Sequence, residues 1–330
     1  MSKIKVGIIG AAGYTAGELL RILINHPEVE IVYVQSDSNG GNPIGSVHAD
    51  LFHVGNLKFV SDIEDNAELV FLCKGHDESF KILQSGNIDH EVKIIDLSQD
   101  FRLKESHPDV QRKYGTFIYG LPELNRSEII TAKNVANPGC FATCLQLGLL
   151  PLANKGLIED DVHISAITGS TGAGQKLSPT SHFSWRNNNM SVYKAFTHQH
   201  LKEIRQSLKK ANPEFNEDLL FIPYRGNFTR GIIATMYLKT RASLETVKKD
   251  FADFYEDDPF VHMSDSNIDL KQVVNTNYCQ LYIDKIEDHL MVISTIDNLI
   301  KGASGQAVQN MNLMYGLDET TGLKIKGIAF

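Results

Sequence analysis

The 330-residue sequence contains no run approaching the ~20 apolar residues that a membrane-spanning helix needs, which argues against an integral helical membrane protein. It has no long basic run either, and its formal net charge is −8, so neither a nucleic-acid surface nor an anionic-membrane surface is expected. A local basic pocket for a phosphate remains compatible with that balance. Cysteine is sparse: Cys140 and Cys144 lie close together while Cys73 and Cys279 are scattered, which makes neither a disulfide framework nor a paired-cysteine zinc site. Met1-Ser2-Lys3-Ile4-Lys5 leads straight into a strand with no apolar signal core. Together with the scattered thiols, this gives the cytoplasm as the expected compartment. Internal repeats and low-complexity linkers are also missing. What is present, 42% hydrophobic and 22% charged content, suffices for a large core, and the length points to two domains.

The most informative stretch is Asn137-Pro138-Gly139-Cys140-Phe141-Ala142-Thr143. Asn134-Val135-Ala136 reads as the end of a buried strand, Pro138-Gly139 as a turn, and Leu145, Leu147, Leu149 and Leu150 as part of a helix. Cys140 then falls at the first helical turn, where unpaired N–H groups and the positive dipole end favour thiolate over thiol. The same amides can hold an oxyanion formed when the sulfur attacks an acyl carbon. Cys73 and Cys279 lie in apolar, strand-like runs and read as buried packing residues.

A second signal lies at the amino-terminal end. Residues 4–10 form a strand entering the turn Gly10-Ala11-Ala12-Gly13, with a helix expected over 14–25. Glycines there permit close approach of a pyrophosphate, and the helix start supplies donors. The spacing Gly7, Gly10, Gly13 departs from G-x-G-x-x-G, and a tight strand-to-helix turn is the competing reading. Further strands are expected over 29–35, 68–73, 93–97 and 134–137, with a helix over 78–83. Strands alternating with helices predict a Rossmann-type, doubly wound parallel sheet. After Pro151 long strands dominate, over 163–169, 219–223, 231–240, 278–286 and 290–296, with helices over 200–210 and 244–255. That pattern predicts an α+β domain with an antiparallel or mixed sheet. A final helix is expected over 306–315.

Seven segments in order resemble the N-acetyl-gamma-glutamyl-phosphate reductases almost end to end: GAAGYTAGEL at 10–19, DLSQDFRL at 96–103, YGLPELN at 119–125, NPGCFAT at 137–143, GSTGAG at 169–174, His198-Gln199-His200, and KGASGQAVQ at 301–309. The resemblance implies the aspartate-semialdehyde dehydrogenase fold. Its expected division is a dinucleotide-binding domain of residues 1–141 and 303–330, and a catalytic and oligomerisation domain of 142–302. It also implies NADPH-dependent reduction of an N-acyl-gamma-glutamyl phosphate to the 5-semialdehyde plus phosphate in arginine biosynthesis, through a cysteine thioester, by a homodimer or homotetramer. The implied cofactor contacts are Gly10, Ala12, Gly13, Tyr14, Thr15, Ser36, Gly172 and Asn310.

The chemistry asks for the same parts. An acyl phosphate needs a nucleophile, a phosphate clamp, a proton-handling group and a hydride donor. Cys140 is the nucleophile. His200 is the expected acid/base group, with His198 as a substrate contact and Glu203 as an orienting or amino-acid-binding carboxylate; the two histidines can exchange these roles. No metal is expected, because the pair has no clear third ligand. Arg102 aligns with the family's phosphate-gripping arginine, its other reading being a surface pair with Asp100 or Glu105. Asn137, Ser170 and Arg225 are further substrate candidates, with Arg230 secondary. Trp185 and residues 186–189 read as an exposed loop or subunit contact. Asp37 stands beside Ser36 where the family often has an arginine, and an acid there prefers a ribose hydroxyl; NADP(H) is nevertheless the expected cofactor. Two other readings remain: a reductase of aspartyl or aminoadipyl phosphate, and a dinucleotide-sensing regulator without activity.

Overall fold

The structure is a computed structural model that describes residues 2–328. Its contacts divide the chain into two compact units. One comprises the residues up to Gly139 together with Ala303–Lys324, and the other comprises Cys140–Gly302 and the residues from Ile325 onward. Ile328 N–H accordingly donates to the carbonyl of Val274 in the second unit.

The first unit begins with β1 (Ile4–Ile9), α1 (Tyr14–Leu23) and β2 (Val29–Gln35). It continues with β3 (Leu69–Leu72), α2 (Glu78–Ser85), β4 (Lys93–Asp96), α3 (Pro108–Tyr114), β5 (Phe117–Tyr119), α4 (Pro122–Ile130) and β6 (Asn134–Ala136). The strands run in the order β2-β1-β3-β4-β6-β5, every pair parallel. Parallel strands covered on both faces read as continuous apolar runs, and the wholly buried Leu69-Val70-Phe71-Leu72 is one. The chain leaves β1 for β2 on one side and returns to β3 on the other. The crevice outside the carboxyl ends of these strands is the ligand position in such sheets. Residues 108–130 hold three elements that periodicity does not reveal: β5 is three residues long, and α4 buries Glu123 and Asn125 beside Pro122 and Ile129. Pro122 starts α4, and at the kink the Asn125 side-chain Nδ2 donates to the Tyr119 carbonyl at 2.7 Å.

The second unit opens with α5 (Cys140–Asn154), apolar on every face and buried from Phe141 to Ala153. There follow β7 (Val162–Thr168), α6 (Phe183–Arg186), β8 (Ser191–Val192), α7 (His200–Ala211), β9 (Leu219–Arg225), β10 (Ile232–Lys239), α8 (Leu244–Phe254), β11 (Val261–Ser264), β12 (Cys279–Ile286) and β13 (His289–Ile296). The sheet order is β11-β12-β13-β10-β7-β9-β8. It is mixed rather than antiparallel throughout, because β7/β9 and β11/β12 pair in parallel. Crossovers through α7, between β7 and β9, and through residues 265–278, between β11 and β12, permit those pairings. Helix α5 packs against α7, α8, β10 and β13. The last helix, α9 (Gly305–Met314), belongs to the first unit, where it is buried throughout against α1, α4 and β4. Among the described residues no helix is long and apolar enough to cross a membrane.

Candidate active site

In the second unit α5 starts at Cys140, as its turn-forming neighbours predict, and this cysteine is partly exposed and in no disulfide. One helical turn on, Cys144 is fully buried and donates to the Ser294 carbonyl at 3.4 Å, and burial holds its thiol well above the usual range. The two neighbouring sulfurs therefore occupy opposite environments.

Phe141 carries the histidine pair. Its ring meets His198 edge-on at 5.4 Å and His200 at 6.4 Å, and the imidazoles lie 4.6 Å apart. Backbone N–H of His200 donates to His198 Nδ1 at 3.3 Å, while the His200 Nε2 lies 3.9 Å from the buried Glu203 carboxylate. Burial, then the nearby His200 and Lys194 charges, push His198 down to about 3 against the opposing pull of Glu203. His198 is thus neutral at working pH and accepts from a backbone amide. A general base performs best with a pKa near the operating pH, which the buried His198 lacks.

Two arginines that look equivalent in sequence are separated by their partners. Arg230 Nε donates to the fully buried Asp297 at 3.1 Å, and Asp297 also receives the backbone amides of Asn275, Leu299 and Ile300. Arg230 is thereby a structural anchor. Arg225 lies over the Tyr193 ring at 4.7 Å, and its Nε is buried with no hydrogen-bond partner among the described residues. Tyr193 also stacks edge-on to His198 at 5.8 Å. Its phenol is raised mainly by burial, with Cys140 the next contributor. Nothing local in the sequence singles Tyr193 out. Arg186, read as part of an exposed loop, is instead buried and donates to the carbonyls of Arg225 and Thr180. Ser170 opens a short 3₁₀ turn with Gly172, held by its amide donating to the Phe228 carbonyl at 2.8 Å.

Gly302 is a further site residue that sequence reasoning left inside a turn. A Cβ there would stand 2.8 Å from the Cys140 Cβ and 3.2 Å from the Asp297 carbonyl oxygen. Gly302→Ala is expected to displace Cys140 and, if its position matters to turnover, lower kcat by about tenfold or more, since an ångström of misplacement at a reacting group costs on the order of a hundredfold. Steady-state rates with a thermal-unfolding control check it, and an unchanged kcat would show that the backbone yields freely.

In the first unit Gly10 has φ +79°, a left-handed conformation that favours glycine. Its amide and that of Ala11 donate to the Gln35 carbonyl, closing the turn from β1 onto β2. Around Gly13 there is open space where a Cβ would stand, and α1 begins there without a side-chain cap or an acid in its first turn. A bare helix start facing such space suits a pyrophosphate. Ala12, Tyr14 and Thr15 line this entrance in sequence, and Thr15 C=O accepts from Ser304 Oγ at 2.7 Å. Ser36 is buried, its hydroxyl accepting from Asn39.

Arg102 is buried rather than paired at the surface: Nε donates to the Asn137 carbonyl at 2.8 Å and Nη2 to the Leu97 carbonyl at 2.9 Å. Asn137 in turn donates to Ala303 C=O at 3.1 Å and accepts from Asn310 Nδ2, which also reaches the Gly120 carbonyl at 2.9 Å. Asn310 therefore sits wholly buried in a network that holds the turn before the cysteine.

Known proteins resemble this chain in sequence and in fold. Residues 5–132 match the NAD binding domain of semialdehyde dehydrogenases, and residues 140–298 match their dimerisation domain. N-acetyl-gamma-glutamyl-phosphate reductase from Bacteroides fragilis is 57% identical over 328 residues, covering 99% of this chain and 100% of that protein. The protein of that name from Flavobacterium johnsoniae is 53% identical over 327 residues, with 99% and 100% covered. Among solved structures, aspartate semialdehyde dehydrogenase II from Vibrio cholerae, complexed with ASA, has a TM-score of 0.74 at 15% identity, covering 96% of this chain and 99% of that one. Aspartate semialdehyde dehydrogenase with NADP from Candida albicans has a TM-score of 0.73 at 17% identity, covering 95% and 99%.

Proposed function

Because this chain belongs to the N-acetyl-gamma-glutamyl-phosphate reductases of arginine biosynthesis, we propose that it converts an N-acyl-gamma-glutamyl phosphate to the 5-semialdehyde and phosphate with Cys140 as nucleophile. The observation that carries the residue assignment is the thiol at the start of α5 with the His198 and His200 rings packed on the adjoining Phe141. The thiolate attacks the acyl carbon, a C–S bond forms and the C–O bond to phosphate breaks. NADP(H), when bound to the unit that contains Gly10, Gly13 and α1, supplies the hydride that reduces the resulting thioester. His200, oriented by Glu203, takes the thiol proton and later manages the thiohemiacetal proton as the aldehyde leaves. Arg225 receives the substrate carboxylate, for which its buried Nε, without a partner among the described residues, offers a donor. Ser170 and the Asn137 turn are assigned to substrate, and Gly172 and Ser36 to the cofactor.

In the same reading the first unit, up to Gly139 with Ala303–Lys324, binds the dinucleotide, rather than extending to 141 and 330, and Cys140–Gly302 carry catalysis and assembly into a homodimer or homotetramer in the cytoplasm. The direct test is the oxidative assay with N-acetyl- and N-succinyl-glutamate semialdehyde side by side, plus phosphate and NADP. Turnover of the acetyl compound is expected, and no turnover of either would refute the reading.

Arg102 is the proposed phosphate clamp. Arg102→Leu is expected to raise the KM for phosphate in that assay by roughly ten- to more than a hundredfold, the range for one charge-assisted contact. The KM for NADP should stay within about threefold. Because Arg102 also holds two carbonyls, Arg102→Lys and an unfolding curve accompany it, and an unchanged phosphate dependence in both variants moves the clamp elsewhere.

A further inference from the structure

An acid after β2 ordinarily takes the ribose hydroxyls of NAD, so Asp37 sits uneasily with a cofactor bearing a 2′-phosphate. Its surroundings alter that expectation. Oδ1 of Asp37 accepts from Gln35 Nε2 at 2.7 Å, and Oδ2 accepts from Lys74 Nζ in a short ion pair. Lys74 comes from the other side of β1, two residues beyond the end of β3. Its stem lies across the phosphate-turn glycine, with Cδ 2.9 Å from where a Gly10 Cβ would stand. The lysine side chain is 11% exposed and the Asp37 side chain 75%, so the ammonium is held in place while the carboxylate is free to turn to water. Both lie on a cleft of about 610 Å³ whose walls include Ile9, Gln35, Lys81 and Ile82. This is the crevice at the carboxyl ends of β1, β2 and β3 where the adenosine half of a dinucleotide lies in such sheets.

We propose that Lys74 recognises the 2′-phosphate of NADP(H) in this chain, replacing an arginine next to Ser36, and that Asp37 parks the ammonium until the phosphate displaces it. A compact ammonium serves as a point-charge phosphate binder, and it needs no forked geometry that the cleft would have to match. Asp37, ionised and held low by its bonds to Lys74 and Gln35, competes with the ligand for the same cation. The two residues thus act in opposite directions on one affinity. The inference rests on the NADP(H) reading above.

The test is equilibrium binding by calorimetry of 2′,5′-ADP and 5′-AMP, which differ only in the 2′-phosphate, to the full chain and to Lys74→Met, Lys74→Arg and Asp37→Asn. The parent is expected to prefer 2′,5′-ADP. Lys74→Met should lose about tenfold or more of that affinity while 5′-AMP changes by less than about threefold. Lys74→Arg should keep the preference, and Asp37→Asn should strengthen 2′,5′-ADP binding several-fold. A parent that does not distinguish the two ligands overturns the NADP(H) reading and the inference with it. A parent that does, beside a Lys74→Met variant that keeps the full preference or weakens both ligands equally, overturns the role of Lys74 alone.

Discussion

Cys140→Ser is expected to lower turnover by on the order of 10³-fold or more while nucleotide binding and the unfolding transition stay near the parent's. A hydroxyl at the same helix start is far less ionised than a thiol, so the positive end of α5 has almost no anion to stabilise. Losses of that size are typical when the nucleophile of a covalent mechanism is removed. Cys144→Ala is the internal control. Its sulfur is fully buried against Ser294, so the substitution removes a packing atom and no chemistry, and activity should change by less than about threefold. The measurement is steady-state rate in both directions, with trapping of a radiolabelled acyl group on the protein as a second readout. Residual activity of Cys140→Ser within tenfold of the parent would refute the covalent route. Equal losses in both variants would mean that α5 itself was damaged.

The second large effect concerns the imidazoles. His200→Asn should cost roughly 10²–10⁴ in rate and flatten the acidic limb of the pH–rate profile if His200 is the general acid/base proposed for it. His198→Asn should mainly raise the substrate KM. Burial pushes the His198 imidazole well down, so at neutral pH it is uncharged and a weak base. Alkylation of Cys140 by iodoacetamide against pH reads the thiolate directly. In His200→Asn that curve should move to higher pH, and in His198→Asn it should stay near the parent's. A coupled cysteine–histidine pair yields values that belong to the pair, so the comparison is between curves. The larger rate loss and the displaced curve appearing in His198→Asn instead would exchange the two assignments.

Much of this was legible in the amino-acid order because it depends on neighbours along the chain. The apolar run of β3, the switch to long alternating strands after Pro151, and the Pro138-Gly139 turn that puts Cys140 at a helix start are local patterns, and backbone hydrogen bonding within a few residues turns them into structure. So is the glycine turn into α1. The short elements between 108 and 130 escaped, since β5 owes its place to pairing with β6 and α4 has too little amphipathic pattern to be seen. The sheet of the second unit could be mixed or antiparallel until the chain's crossovers chose partners for β7 and β11.

Only the tertiary structure sorted residues of one type into different states. Arg230 and Arg225 lie close in sequence, yet one is locked to Asp297 and the other keeps a buried Nε with no hydrogen-bond partner among the described residues. His198 and His200 are two residues apart, and the desolvation that holds His198 neutral comes from surroundings that include Phe141 and Phe221, supplied by α5 and β9. Gly302 meets Cys140, and Lys74 meets Asp37, across long stretches of chain. The composition makes such meetings possible. Which of them occur is set by how the whole chain packs, because burial, charge pairing and close approach are properties of the neighbours that folding brings in.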